Sequence, residues 1–434
     1  MSVSRPRPFH FQLARDTLAE ALRGKVPADQ LLQQAFREHR KMGARDRALV
    51  AETVYDVLRH RRSLARLSGQ AQPQAADLAA TALVRNGAAA LDDLRALGYT
   101  GNIGQMATAL REGLPEDASP GERLDLPDAL AERLIAQFGA QEAQALAGAL
   151  NRPAPVDLRV NSLKTDRDAL AQELAEAGFP VEPTPYSPLG LRRENRAPLF
   201  SLPAFREGRF EVQDEGSQLI GLLTDAKPGE RVLDLCAGAG GKTLHLGAGM
   251  QGRGSIVACD VSPRRLAQLK PRLARAGLSN VRSLLIRDEN DAQLKRLRGG
   301  FDRVLVDAPC SGTGTLRRNP DIKWRDIDLE GLSLTQARLL DAAARLVRPG
   351  GLLVYATCSL LREENEAAVE AFLARHPQIR PEPVNPYLAA MNVPLQSPAD
   401  SLRLLPHVHG TDGFFVALMR LPERVAGAQT PPAG

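Results

Sequence analysis

Arg231-Val-Leu-Asp-Leu-Cys-Ala-Gly-Ala-Gly-Gly-Lys242 is the stretch from which the rest of the chain can be read. Val232, Leu233 and Leu235 make a short apolar run with β-propensity. It ends in a loop holding Gly238, Gly240 and Gly241, after which an apolar helical pattern resumes, so the order is strand, glycine turn, helix. Glycines allow positive φ and a close approach of backbone to ligand, and the free N–H groups at the helix start favour a carboxylate or phosphate. A tight turn alone accounts for one or two of them, so the loop by itself is weak evidence. A second apolar run, Ser255 to Cys259, ends at Asp260, roughly 20 residues on, where nucleotide-binding α/β folds place an acid on ribose hydroxyls. Dinucleotide spacing asks for glycine at position 243, where Thr243 stands, which speaks against a nicotinamide oxidoreductase. An acid near the strand end, Asp234, suits a cationic methyl donor, S-adenosylmethionine, better than a pyrophosphate.

The chain of 434 residues is long enough for two or three domains. A hydrophobic content of 43% with 25% charged residues is that of a globular protein. Absence of an 18-residue apolar run excludes a spanning helix, and the N-terminus lacks a signal-peptide core. A cytoplasmic, monomeric protein without membrane or metal partners is therefore expected. Cys236, Cys259, Cys310 and Cys358 form no CxxC and no metal-ligand spacing with histidine. A net charge of +5 is a mild basic bias that fits a polyanionic partner without requiring one.

Residues 1–150 read as an all-helical bundle, with Leu13, Ala14, Leu18, Ala21 and Leu22 at helical spacing. The basic stretches Arg37 to Arg47 and Arg59 to Arg62 suit either RNA or a solvated helical face. Leu114 to Leu126 reads as an irregular connection. Residues 151–209 read as a small α/β unit of RRM-like type, with a strand at Val156 to Val160 and a helix at Asp166 to Ala177; Arg159 and Asn161 could face a nucleic acid from that strand. From Phe210 strands and helices alternate, with strands expected at Phe210–Val212, Val232–Leu235, Ile256–Ala258, Val281–Ile286, Val304–Val306 and Leu352–Ala356. Such alternation predicts, over 210–422, an α/β Rossmann-like domain with a mainly parallel sheet and ligands beyond the carboxyl ends of its strands. Residues 423–434 are expected to be a disordered, functionally silent tail.

Two strands end in thiol-bearing turns: Asp307-Ala308-Pro309-Cys310-Ser311-Gly312-Thr313-Gly314 and Thr357-Cys358-Ser359. Free cysteines are most often small buried hydrophobes, the role expected of Cys259, whereas Cys310 and Cys358 lie in polar turns at the ligand edge. These turns, Glu364-Asn365-Glu366, Cys236 to Lys242, Val212-Gln213-Asp214, Arg318 to Trp324, Pro349-Gly350-Gly351 and Asp412 to Phe415 together resemble the motifs of the RsmB/NOP (Sun/Fmu) family of RNA cytosine-C5 methyltransferases. The likeness is strong over Asn151 to Leu421. The helical N-terminus, with Gly43 to Arg47 and Tyr55 to Arg59, resembles the NusB-like domain of the bacterial RsmB branch, which acts on small-subunit ribosomal RNA.

The resemblance implies an S-adenosylmethionine-dependent methyltransferase with Cys358 as nucleophile on carbon 6 of cytosine, Asp307 at ring nitrogen 3 and Cys310 in release of the product. Residue by residue it implies that Cys236, Ala237, Gly238, Ala239, Gly240, Gly241 and Lys242 surround the methionine part of the cofactor. Asp260 falls on the ribose, Asp288 near the adenine amino group, Asp307 beside the site, and Arg265 in support. Gly238 and Ala239 replace the family's Ala-Pro, which predicts a looser loop, and Pro271 predicts a kinked or shortened helix. Lys164, Arg317, Arg318, Lys323, Trp324 and Arg325 are candidates for holding RNA around a flipped or single-stranded base, with Trp324 equally suited to packing. Transfer RNA as substrate, and a non-catalytic RNA-binding assembly factor, are the alternative readings.

Overall fold

The computed structural model describes residues 5–194 and 198–423. The expected tail lies outside these residues but for Glu423. The chain divides into two compact units, Met1–Pro153 with Thr315–Ile327, and Ala154–Gly314 with Asp328–Gly434.

The first unit is helical among its described residues. Helices Pro8–Ala21, Ala44–Arg59 and Ala75–Arg85 bury a common core of Phe11, Leu18, Val50, Val54, Val57, Leu58, Leu78 and Met106. The expected irregular connection at Leu114–Leu126 contains a short helix instead, Pro120–Leu124. Ser119 and Glu122 form a capping box around it, and Pro120 occupies the first helical position, where its missing N–H costs nothing. Thr315–Ile327 belongs to this unit although it follows the first thiol turn in sequence.

In the second unit a small antiparallel sheet runs β2-β3-β1-β4, from β1 (Val156–Val160), β2 (Glu182–Pro183), β3 (Gly190–Arg193) and β4 (Phe210–Val212). The expected boundary at residue 210 is corrected here. β4 pairs antiparallel with β1, Leu158 opposite Val212, and Phe210 is buried with Leu158, Val160, Leu170 and Leu191, so this strand closes the small domain. A strand of three residues carries no pairing direction in its sequence, and its apolar ends fit either sheet.

The large sheet comprises β5 (Arg231–Asp234), β6 (Ser255–Asp260), β7 (Val281–Leu285), β8 (Phe301–Asp307), β9 (Val347–Thr357), β10 (Arg380–Glu382), β11 (Leu402–Leu404) and β12 (Phe414–Arg420). Its order is β10-β12-β9-β8-β5-β6-β7, with β11 also on β12; β5 to β9 are parallel, and the last three strands pair antiparallel. Continuous apolar runs such as Val304–Val306 and Leu352–Ala356 are wholly buried, as central strands covered on both faces require. Strand order reverses between β5 and β8, which opens a crevice beyond their carboxyl ends. The glycine loop leaves β5 at that point, and the two thiol turns leave β8 and β9 beside it.

Candidate active site

The glycine loop is tied down more firmly than its composition predicts. Ala237 N–H donates to Cys259 O at 2.8 Å, Gly238 N–H to Asp260 Oδ2 at 2.8 Å, and Gly240 N–H to Ala237 O at 2.8 Å. Arg272 Nη1 donates to Ala239 O at 2.7 Å, and its other nitrogen pairs with Glu211 at 2.9 Å. These backbone contacts are in place despite Gly238 and Ala239. Gly238 and Gly240 stand at φ +57° and +87°, where a side chain would be strained. The helix carrying Pro271 is not shortened: it runs unbroken over Pro263–Ala276. Pro271 and Ala267, four residues before it, are both exposed, so the carbonyl left without its N–H partner can reach water.

Asp234 ends β5 with one oxygen accepting from Thr243 Oγ1 at 2.7 Å. Thr243, noted in the sequence only as a missing glycine, thus pins the helix start to the strand end. The other oxygen, Oδ1, is buried without a partner. Burial pushes this carboxyl up to about 7, against the Thr243 hydrogen bond and with the help of the Asp307 charge. A buried acceptor lacking a donor at the mouth of a glycine turn fits a ligand that brings positive N–H groups, and the amino acid end of S-adenosylmethionine has them. Asp260 is 5% exposed and accepts Gly238 N–H and Ser262 N–H, bracing the loop to β6. Asp288, after β7, is exposed and caps Asn290 N–H at 2.8 Å. Arg265 is exposed on the helix Pro263–Ala276.

The thiol turns meet. Asp307 of β8 is in register with Ala356 of β9, and beyond them Cys310 Sγ and Cys358 Sγ come within 3.4 Å. Lys242, nearly buried, places Nζ 2.7 Å from Asp307 Oδ2. Burial works to lower its ammonium, but Asp307 and then Cys358 outweigh that and hold it above the usual lysine value. Cys310 is held well above an ordinary thiol by its hydrogen bond to Cys358, by burial, and by the charges of Cys358 and Glu364. Burial likewise lifts Cys236. Cys259 is fully buried in β6 and pushed up to about 12, the inert role expected of it.

Several expected RNA contacts are not available as such. Arg159 and Asn161 are 2% and 5% exposed; Arg159 Nε donates to Gln213 and Asn161 Nδ2 to Gly208 O and Ala276 O, because their strand is covered on that face. Lys164 Nζ donates to Glu207 O at 2.6 Å and Arg275 O at 2.7 Å. Within the helical unit, Lys323 is 2% exposed and donates to Arg59 O, Asp125 O and Asn151 Oδ1. Trp324 donates Nε1–H to Leu58 O at 2.8 Å under the Arg61 guanidinium, so its packing role is the one observed. Arg317 is buried, and Arg325 pairs with Asp321. Of the basic stretch Arg59–Arg62, Arg59 is buried and Arg62 pairs with Asp128. By contrast Arg37, His39, Arg40 and Lys41 line a surface cleft of about 510 Å³ with Arg7 and Phe9. No group of three or more His, Cys, Asp or Glu side chains able to hold a metal occurs among the described residues, and no helix among them could cross a membrane.

Reading the residues in order passed over Glu364 and Gln336 as parts of the site. The fully buried Glu364 carboxylate accepts from Ser311 N and Gln336 Nε2 on one oxygen and from Ser311 Oγ and Ser359 Oγ on the other. Asn365 accepts from Thr357 Oγ1 at 2.5 Å and donates to Ser359 O at 2.9 Å, straddling Cys358. Glu364 and Asn365 carried a signal as part of the quoted motif; Gln336, in the middle of an amphipathic helix, carried none.

A glycine loop at the switch point of a mostly parallel sheet, an acid at the end of the next strand and a buried acceptor facing the turn define a class I S-adenosylmethionine-dependent methyltransferase. Comparison with known proteins narrows this. A family described as 16S rRNA methyltransferase RsmB/F matches residues 222–420, and one described as the ferredoxin-like domain of RsmF/B-like methyltransferases matches residues 126–199. The chain is 37% identical over 308 residues to a probable ribosomal RNA small subunit methyltransferase B of Synechocystis, covering 70% of this chain and 69% of that one. It is 36% identical over 398 residues to ribosomal RNA small subunit methyltransferase B of Xylella fastidiosa, covering 86% and 89%. A methyltransferase homologue from Pyrococcus horikoshii shares the fold with a TM-score of 0.61 at 31% identity, over 71% of this chain and 99% of that one. The chain belongs to the RsmB/F family of rRNA methyltransferases.

Proposed function

We propose that this protein methylates carbon 5 of a cytosine in small-subunit ribosomal RNA through a covalent bond between Cys358 and carbon 6 of the base. The observation that carries this reading is the pair of sulfurs 3.4 Å apart beside the Lys242–Asp307 ion pair. The names of the relatives from Synechocystis and Xylella supply the RNA.

Carbon 5 of cytosine is a poor nucleophile. Attack of the Cys358 thiolate on carbon 6 forms the S–C6 bond and moves the double-bond electrons toward carbon 5, with charge building at N3, where Asp307 supplies a hydrogen bond or proton. An ordinary thiol is only a few per cent ionised at neutral pH, so the attack requires loss of the thiol proton. Residues 236–242, Asp234, Asp260 and Asp288 would hold S-adenosylmethionine, which would supply the methyl group to carbon 5 and leave as S-adenosylhomocysteine. Carbon 5 then gives up its proton to water, the C5–H electron pair re-forms the C5–C6 double bond, and the S–C6 bond breaks, returning its electron pair to Cys358. Cys310, in contact with that sulfur, serves this release. The cleft of Arg7, Arg37, Arg40 and Lys41 gives the helical unit a place for RNA phosphates.

The experiment pairs two substitutions. Cys358→Ala should abolish methyl transfer, while Cys310→Ala should accumulate a protein–RNA adduct that survives denaturing electrophoresis. An active C358A, or C310A without adduct, would refute the assignment. Bisulfite sequencing of total RNA with and without the gene reports the base and distinguishes ribosomal from transfer RNA.

A further inference from the structure

A carboxylate that loses all contact with water is expensive to bury unless its lone pairs are met by donors. Glu364 is 0% exposed and meets four: Ser311 N–H at 2.8 Å, Gln336 Nε2 at 3.0 Å, and the hydroxyls of Ser311 and Ser359 at 2.5 Å each. Ser311 follows Cys310 and Ser359 follows Cys358, so one carboxylate spans the two thiol turns. The same grouping is closed from the other side. Gln336 Nε2 also donates to Pro309 O at 3.0 Å, Leu361 N–H donates to Ser359 Oγ at 3.0 Å, and Gly314 N–H donates to Cys358 O at 2.8 Å. With both serine protons directed at Glu364, the Thr313 hydroxyl, 3.2 Å from Ser311 Oγ and 3.3 Å from Ser359 Oγ, supplies the next link, and its oxygen accepts Leu360 N–H at 2.9 Å. Packing alone could be served by an apolar residue of similar size, which makes a satisfied buried charge at this point a mark of function.

We infer that Glu364 is a positioning residue that clamps the Cys310 and Cys358 turns at contact distance, so that the two sulfurs face the same base. The inference rests on the two-thiol reading of the reaction. The charged and titratable groups around the pair are Lys242, Asp307, Glu364, Cys236 and Tyr355, whose phenol donates to Glu364 O at 2.6 Å. Among them Lys242 is the cation and is drawn upward by Cys358, whereas Glu364 acts against ionisation of Cys310.

The test is peptide-resolved alkylation by iodoacetamide of the full-length protein without RNA, from about pH 6 to about pH 10, together with kcat, the KM for RNA and the affinity for S-adenosylmethionine. In the wild type Cys310 should resist alkylation except at high pH, with buried Cys259 as the unreactive reference. Glu364→Gln, close to isosteric, should raise Cys310 alkylation about tenfold at a fixed pH, as one unit of pKa implies. It should also lower kcat on the order of a hundredfold, as a small misplacement of reacting groups does, and leave cofactor affinity unchanged. Unchanged alkylation and kcat in E364Q would overturn the inference. So would a parallel rise at both sulfurs with a fall in melting temperature, the signature of a merely structural residue. If E364Q does not fold, Ser359→Ala and Ser311→Ala remove one donor each; both should lower kcat with KM held, and wild-type rates in both would overturn it. The alkylation of Cys310 is scored without RNA, so a protein that forms no 5-methylcytosine would refute the proposed reaction while the role of Glu364 is still decided.

Discussion

The sulfur of Cys310 lies 3.4 Å from the sulfur of Cys358, at the ends of two parallel strands whose register is fixed by Asp307 opposite Ala356. A disulfide needs about 2 Å, so a small movement of either turn would close the bond. Hydrogen peroxide should therefore take two electrons and two protons from this pair, giving a 310–358 disulfide and two waters. Methyl transfer should be lost and then restored by dithiothreitol, with Cys236 and Cys259 left free. A non-reducing peptide map checks this; inactivation by peroxide without the linked peptide would place the damage elsewhere.

Asp234 gives a pH dependence with a defined sign. Its folded value of about 7 lies above the ordinary 3.8. Its relative contribution to stability is therefore present below about pH 4 and is lost as pH rises through about 7. The ligand-free protein should accordingly lose stability relative to Asp234→Asn between about pH 4 and about pH 7. A cationic ligand favours the ionised carboxylate, so affinity for S-adenosylmethionine should rise over the same interval in the wild type and stay flat in D234N. Titration calorimetry at both ends of the range is sufficient, and equal slopes for the two proteins would remove Asp234 from the cofactor site.

The parallel half of the sheet was legible because its physics is local. Val304–Val306 and Leu352–Ala356 are apolar runs bounded by turn residues, and each thiol lies in the turn that follows one of them. β10, β11 and β12 were not read because they pair antiparallel, outside the alternation of strand and helix that guided the reading. The role of Lys323 was misjudged for a related reason, and of the two readings weighed for Trp324 the structure bears out the packing one. Charge and aromaticity mark a residue as able to bind RNA, but whether the side chain points to solvent depends on helices some 170 to 260 residues away in sequence. Pairing across such distances leaves no periodicity in the text.

Gly240 stands at φ +87°, and a Cβ there would come within 2.1 Å of Leu269 Cδ1. The side-chain end can swing away, but the backbone conformation remains unfavourable for any L residue, by roughly 1–2 kcal/mol. Gly240→Ala should thus lower thermal stability modestly and weaken S-adenosylmethionine binding, since the strained residue lies in the loop itself. Gly252, also at positive φ with open space around its Cβ position, is the control: G252A should show the stability loss alone. Cofactor binding equally weakened in both would separate the effect from the loop.

Lys323 is a buried amine whose partners are all within the helical unit: Arg59 O at 2.8 Å, Asp125 O at 3.1 Å and Asn151 Oδ1. Burial pulls it down to about 7, opposed by Asp125 and aided by Arg59. A lysine ordinarily titrates near 10.5, so between about 7 and about 10.5 the unfolded chain binds the proton more readily than the folded one. Stability therefore rises with pH across that window. Lys323→Met has no proton to bind and leaves these oxygens without their donor, each costing about 1–3 kcal/mol. The variant should melt well below the wild type, and the gap should widen as pH is raised from about 7 to about 9.5. Calorimetric scans of both proteins at several pH values test this directly; a gap that stays constant would mean that Lys323 keeps an ordinary pKa despite its burial.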